Sequence, residues 1–590
     1  MESWEGFPVR NLCKNRTTGN LDRGFDKTRR LWLPAAMHIP RLWGTLDPFL
    51  ETGPILGRKV ANAGFLDALL AADPFDAYHF FLLSPGDCDK QRDVLKKHYP
   101  ELAARGKFKF LTRLDLPRCL SDTDYAVFHL SDCIVNPAWL AAARNALAKF
   151  IFPITAPMHS LSYANYAREF LAHLWPGVTA RDAVVATSTA GLEAVRQFYA
   201  GLRQGYGLSE SGFPAPRLAH IPLGVQPSAY GRLEGEARQA ARARHGIPAE
   251  AVVLLVLGRI SHTSKMDLVP LLRAVQRLAG EGIDPAGLCL VQAGWADEGH
   301  HTVTDTLRTL AGNIGLPFQL VARPSEEDKR ELLGCADVFV SLADNPQETF
   351  GLTVLEAMVA ELPVVASDYD GYRDTVAAGK TGFLVPTLGL ADTDAWDVMA
   401  PLWFDSFTHL FLAQGQAVDV PATAAAIGAL VRDPGLRLAM GRAGRVRVEE
   451  RFSWRTVVDR HLELWEMLAA KPIPDRETLA RTRHPASMRY GTLFGGYPTR
   501  VLSDTVRLVW SPTGQAVYRR RDFPVLYAEM DRFIRPEAIH TLLFLSRSPC
   551  PGMTLAARLA AAVPELGASG ARYHVIWAVK QDLLEEADAA

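Results

Sequence analysis

Short runs of consecutive apolar residues, separated by stretches with helical spacing, recur along most of the chain. Tyr78 to Leu83 (YHFFLL), Lys107 to Leu111, Tyr125 to Leu130 (YAVFHL), Phe150 to Thr155 (FIFPIT) and Ala183 to Thr187 (AVVAT) are too short for helices. Apart from Lys107 to Leu111, which carries two lysines, they are also too continuously apolar for strands with one wet face, so they read as strands of a parallel sheet covered on both sides. Leu31 to Met37 (LWLPAAM) supplies a first strand, weakened by Pro34, and a long loop follows it. RKVANAGFLDALLAA, Asp87 to Ala104 and Gly191 to Tyr199 are the intervening helices. His220 to Val225 (HIPLGV), with Pro222 and Gly224, reads as a linker, after which the pattern restarts. Val252 to Gly258, Gly287 to Ala293, Phe318 to Val321, Val338 to Leu342 and Pro363 to Ser367 alternate with helical segments. The pattern predicts an α/β protein with two successive doubly wound units, 31–222 and 223–470, after a polar extension at 1–30. Helices over Ala422 to Val431, Arg442 to Phe452 and Trp454 to Leu468 close the second unit.

From Pro472 the pattern changes. VRLVWSPTGQAVYRR reads as a hairpin turning at Ser511-Pro512-Thr513-Gly514, and the end of the chain as two helices around a Pro-Cys-Pro-Gly turn with a closing apolar segment. Residues 471–590 are expected to form a small α+β accessory domain of winged-helix-like type.

Composition narrows the function classes. A formal net charge of −1 over 590 residues gives no general attraction to nucleic acid or to anionic membranes. Seven cysteines without a C-x-x-C pair fit a reducing compartment. The opening residues lack the apolar core of a signal peptide, and no run approaches the roughly 20 apolar residues of a membrane span. A cytoplasmic protein is expected, with peripheral membrane contact left open. The basic run Lys90, Arg92, Lys96, Lys97, Arg105, Lys107 and Lys109 reads as a solvated face before it reads as a lipid contact.

Candidate chemistry concentrates in the second unit. Gly258-Arg259 closes the strand VVLLVLG and Lys265 follows, placing two cations at a strand's carboxyl end, where ligands of such sheets sit. They would neutralise a diphosphate without a metal, or be ordinary solvated loop residues. In SLADNPQETFGLTVLEAMVAELPVVASDYDGYRDTVAAGKTGFLVP, Glu348 and Glu356 flank a glycine turn and a helix start. Gly351 allows a close backbone approach, and the first helical amides favour an anion. Against this, Thr353 to Glu356 also matches a capping box. Gly379-Lys380-Thr381 imitates the end of a P-loop, but Asp374 stands where the first glycine is needed. His300, His301 and Asp305 have no second cluster to complete a metal site. The triplet Arg519-Arg520-Arg521 is poor support for nucleic-acid binding.

Together these motifs resemble the donor-binding signature of the group 1, family 4 retaining glycosyltransferases. Glu348, Phe350-Gly351, Glu356-Ala357-Met358, Pro363 to Ser367 and Gly382-Phe383-Leu384-Val385 carry the resemblance. Gly258, Arg259 and Lys265 match a further element, and Ile221 to Val225 resembles the segment between domains. The resemblance implies a GT-B fold, with two Rossmann-like domains facing a cleft. It also implies metal-independent transfer of a sugar from a nucleotide-diphosphate sugar to a hydroxyl of a glycan, lipid or other glycoconjugate acceptor, without a cofactor. It places Arg259 and Lys265 on the diphosphate, Glu348 on the sugar hydroxyls and Glu356 on the ribose. Phe350, Gly351, Leu352 and Thr353 would lie beside sugar and diphosphate. His159 resembles a histidine near donor and acceptor, and Gly57 ends a segment similar to the glycine loop of the first domain. Two departures, Ser341 to Asn345 and Asp370-Gly371-Tyr372, bear on sugar and acceptor identity. The competing class is a non-catalytic protein that binds sugar nucleotides, or nucleic acid through the C-terminal module.

Overall fold

The computed structural model describes residues 41–51, 57–295 and 301–587. Two parallel sheets form the framework of the described residues up to 470. The first comprises β1 (Leu42–Thr45), β2 (Ala77–Leu82), β3 (Phe108–Thr112), β4 (Val127–His129), β5 (Ile154–Pro157), β6 (Asp182–Ala186) and β7 (Arg217–His220) in the order β3-β2-β1-β4-β5-β6-β7. The second comprises β8 (Val252–Leu257), β9 (Leu288–Gly294), β10 (Phe318–Ala322), β11 (Val338–Ser341), β12 (Val364–Ser367) and β13 (Gly382–Val385) in the order β10-β9-β8-β11-β12-β13. In each, the chain winds outward for three strands, then returns to continue on the other side of the first. The reversals fall between β1 and β4 and between β8 and β11, and each opens a crevice at the strands' carboxyl ends.

The strand expected at Leu31 to Met37 and the glycine loop up to Leu56 lie outside the described residues. The first described strand, β1, falls in the stretch read as a loop. It is four residues long and contains Gly44, where a Cβ would lie 2.6 Å from the Phe128 ring, so it shows no alternation. Strand β7 was also missed, because this sheet-edge strand is only partly buried and carries Arg217 and His220. The predicted helix Asp87 to Ala104 is two, Pro85–His98 and Pro100–Ala104, divided at Tyr99 where Pro100 cannot continue the first.

The last helix of the second half, Trp454–Ala469, crosses back onto the first sheet domain. Trp454 sits against two glycines: a Cβ on Gly64 would lie 2.7 Å from its ring, and one on Gly224 2.6 Å. Further along the helix, Trp465 Nε1 donates to Thr155 Oγ1 at 2.9 Å. The following segment stays with the same domain: Arg476 donates to the Asn145 carbonyl at 2.6 Å, and His484 Nε2 lies 2.7 Å from the Ala172 carbonyl.

The separate compact unit therefore begins at Ser487, not at 471. Within it, the strand Arg507–Trp510 pairs antiparallel with Cys550–Pro551 and Leu584–Glu586. Helices Pro536–Leu545, Gly552–Ala562 and Gly567–Lys580 bury Leu542, Leu555 and Val575. The expected hairpin is not formed. Ser511 Oγ accepts from the Gly514 amide at 2.9 Å and Pro512 occupies the first turn, so the return arm is a helix, Pro512–Tyr518.

Helix Pro434–Arg451 backs the glutamate-bearing helix Leu352–Val359 through a glycine. A Cβ on Gly441 would run into the Glu361 carbonyl, whereas Gly201 in helix Thr189–Tyr206 faces open space. Gly441→Ala is expected to lower stability by about 1–3 kcal/mol. Gly201→Ala should instead raise it by up to about 1 kcal/mol. Paired thermal melts distinguish the two.

Candidate active site

The crevice between β8 and β11 gathers most of the predicted residues. The loop after β8 holds Gly258, Arg259 and Lys265; the loop after β11 holds Glu348, Phe350 and Gly351. Lys265 Nζ pairs with Glu348 Oε2, and both side chains are largely buried. Burial pushes the Glu348 carboxyl up, but the Lys265 charge and hydrogen bond, with the Phe350 and Gly351 amides, outweigh it and hold the group below its usual range. Behind it, the Tyr372 hydroxyl donates to Glu348 Oε2 at 3.4 Å and lies 2.6 Å from Ser341 Oγ. Arg259 is exposed and reaches Gln347 Oε1 at 3.1 Å.

Gly351 caps helix Leu352–Val359 with φ 93°, and a Cβ there would strike the Tyr372 ring. Only glycine fits that left-handed, crowded position. The capping-box alternative for Glu356 is not what forms. Thr353 lies inside the helix, and Glu356 Oε1 takes Lys329 Nζ at 2.7 Å and the Tyr230 hydroxyl at 3.3 Å. Glu356 Oε2 and Thr353 Oγ1 are buried without a hydrogen-bond partner, a costly state that a ligand hydroxyl donating to Glu356, and a ligand oxygen accepting from Thr353, would relieve.

The two departures from the family pattern are built into the same crevice. Asp344 is 3% exposed; its Oδ2 accepts the Asp267 amide at 3.1 Å, while Oδ1 is buried without a partner. Burial pushes its carboxyl up to about 7. Asp370 stands at φ 45°, a conformation aspartate tolerates. Gly371 beside it is required, since a Cβ would lie 2.5 Å from Phe350 Cα. Burial, then the Glu348 charge, push Asp370 up to about 8. The crevice thus sets Glu348, held ionised, beside Asp370, which keeps its proton near neutral pH, an assignment made by environment.

His159 lies on the other wall, after β5. Its Nε2 is 3.0 Å from the Ser131 carbonyl and 3.2 Å from Asn62 Oδ1. A carbonyl can only accept, so Nε2 carries the hydrogen and Nδ1 is the acceptor. Burial lowers its pKa to about 4, so the ring is neutral. Gly57 opens helix Gly57–Ala72 and is exposed. Among the described residues no hydrogen bond or ion pair joins His159 or Gly57 to the second-domain cluster.

Sequence reasoning missed Lys329 and Tyr230, which steer Glu356, and the groups that span the cleft. Thr189 donates its amide and hydroxyl to Asp374 at 2.6 and 2.8 Å, and Ser188 Oγ reaches Asp370 Oδ1 at 3.4 Å. A helical segment between β13 and helix Val420–Arg432 adds Asp405, which accepts the Ala164 amide at 3.3 Å, and His409. Its Leu402 and Phe404 stand more than three-quarters exposed.

Residues 237–393 match the family model described as glycosyl transferases group 1. The D-inositol 3-phosphate glycosyltransferase of Xylanimonas cellulosilytica is 27% identical over 420 residues, 66% of this chain and 86% of that protein. The alpha-maltose-1-phosphate synthase of Mycolicibacterium smegmatis is 27% identical over 296 residues, 50% of this chain and 65% of that protein. The crystal structure of a glycosyltransferase from Rickettsia africae superposes with a TM-score of 0.50 at 16% identity, over 74% of this chain and 100% of that one. The paired sheets are those of the GT-B fold.

The raised Asp344 carboxyl makes stability pH-dependent. Between the ordinary value of 3.8 and about 7 the unfolded chain has lost this proton and the folded one keeps it. Stability from this group therefore falls as pH rises through that window. Asp344→Asn should melt above the parent, and its advantage should widen between about pH 4 and pH 7 in buffered thermal melts.

Proposed function

We propose that this chain, whose second sheet domain is a group 1 glycosyltransferase domain, moves a sugar from a nucleoside-diphosphate sugar to an acceptor hydroxyl with retention at the anomeric carbon. The observation that carries the reading is the arrangement around β8 and β11. Two cations, Arg259 and Lys265, flank a glycine-capped helix start, with a buried carboxylate and unpartnered polar atoms beside them. A diphosphate entering this crevice would draw Lys265 and Arg259, each charge-assisted hydrogen bond contributing about 1.5–3 kcal/mol. The same cations stabilise the charge that develops on the leaving diphosphate, so no metal is needed for that task. Glu356 Oε2 would accept a ribose hydroxyl. Glu348 would accept hydroxyls of the transferred sugar once the phosphate shares Lys265. Protonated Asp370 offers a donor and an acceptor to the same sugar.

The acceptor, a hydroxyl of a glycan, lipid or other glycoconjugate, would approach from the first domain, where neutral His159 presents a proton-accepting Nδ1. No cofactor is invoked. Among the described residues no helix is long and apolar enough to cross a membrane.

The test joins binding to turnover. Of UDP-, GDP- and ADP-sugars, the true donor should raise the melting temperature, since a ligand at 100 times its Kd stabilises the native state by about 2.7 kcal/mol. Lys265→Ala and Glu348→Ala should each lower transfer, or donor hydrolysis, by at least about 100-fold with circular dichroism unchanged. Unaltered turnover in both variants sinks the proposal.

A further inference from the structure

The candidate diphosphate ligand Arg259 is held by a side chain outside the motif pattern. Gln347 Oε1 accepts from Arg259 Nη2 at 3.1 Å. Its Nε2 donates to the Tyr163 hydroxyl at 3.2 Å and to His409 Nδ1 at 3.1 Å. His409 Nε2 lies 3.1 Å from the Ser162 carbonyl, and its ring meets that of Tyr163 edge-on at 5.4 Å. Ser162 and Tyr163 belong to the first domain, Gln347 to the loop after β11, and His409 to helix Asp405–Gln414.

The hydrogen-bond directions in this chain are forced. The Ser162 carbonyl only accepts, so His409 Nε2 carries the hydrogen; in the neutral ring Nδ1 then accepts. Burial lowers the His409 pKa, against the opposing pull of the Ser162 carbonyl and Asp405 and with the help of Arg259. Only the NH2 end of Gln347 satisfies Nδ1, and that turns Oε1 toward Arg259. A carboxamide whose two ends are ordinarily ambiguous is thus oriented by a carbonyl of the opposite domain, acting through a histidine. Asn345 fixes the backbone of the pair, accepting the Gln347 amide at 2.9 Å and donating to the His409 carbonyl at 3.2 Å.

We propose that Gln347 is a positioning residue for the transfer: its carboxamide, oriented by His409 and Tyr163, holds the Arg259 guanidinium in place for the donor's diphosphate while the two sheet domains are closed on each other. The inference rests on the reading of Arg259 given above. Closure and diphosphate binding are then linked, each favouring the other by the same factor.

The experiment is a double-mutant cycle read by calorimetry. UDP, GDP and ADP are titrated into the full chain and into its Arg259→Ala, Gln347→Ala and doubly substituted forms, and the tightest of the three is followed. Gln347→Ala is expected to weaken binding about tenfold. The double variant should bind no more weakly than Arg259→Ala alone, because Gln347 acts through Arg259. Tyr163→Phe, which removes one of the two acceptors holding the carboxamide, should give a smaller loss. If Gln347→Ala binds like the parent while Arg259→Ala is impaired, or if the two losses simply add, the positioning role is overturned. If no diphosphate binds the parent, or Arg259→Ala binds unchanged, the donor reading itself falls and takes this one with it. Gln347→Met, which keeps the volume and loses the hydrogen bonds, repeats the comparison should the alanine variant melt low.

Discussion

A carboxylate as buried as Glu348 keeps its charge chiefly because Lys265 is beside it, helped by the Phe350 and Gly351 amides. Removing an ion from water costs several kcal/mol, and the partner has to return that by close contact. This requirement shapes the surrounding chain. The loop after β8 must bring a lysine to the loop after β11, Tyr372 and Ser341 must supply hydrogen bonds from behind, and the neighbouring Asp370 must stay protonated. The left-handed Gly351 and the crowded Gly371 allow those loops to approach closely. The site's electrostatics are therefore a consequence of backbone packing as much as of charge.

The contacts that join the two sheet domains differ in chemistry from the packing that anchors the last helix on the first of them. Across the cleft the contacts are hydrogen bonds: Thr189 to Asp374, Ala164 to Asp405, and the Gln347 and His409 chain. Such bonds exchange with water at a net cost of about 1 kcal/mol each. Beside the crossings the packing is aromatic and lies within the first domain, with Trp454 seated on Gly64 and Gly224, and Phe65 against His461 with ring centroids 4.9 Å apart. Burial of that kind is lost only by exposing aromatic surface.

Much of this was legible in the sequence for a physical reason. Strands covered on both faces are continuously apolar, so β2, β8, β9 and β11 announce themselves, and Gly351 with its flanking glutamates marks a helix start that tolerates no side chain. Strand β1 did not announce itself, because four residues with a central glycine carry no period. Ser511-Pro512 was misread as a turn, although serine before proline is also a helix start. Lys329 and Gln347 stood among polar residues of no fixed spacing, and His409 in a stretch of phenylalanines and leucines. Their roles depend on which partners the fold brings from tens or hundreds of positions away, and local pattern does not encode that. The departures at Asp344 and Asp370 were visible as departures, but their raised pKa values follow from burial, which spacing alone does not report.

The chain crosses between the sheet domains twice, at Val225 and at Ser453, and the crossings lie side by side. The Val225 amide donates to the Phe452 carbonyl at 2.9 Å, and the Trp454 amide to the Val225 carbonyl at 3.2 Å. A single strand between two bodies permits swivel about its own axis as well as bending. Two strands stitched together behave as a leaf with two pins: they bend about one line and resist torsion. Arg259 on one body and Tyr163 on the other are then less free to twist past each other than a single crossing would leave them.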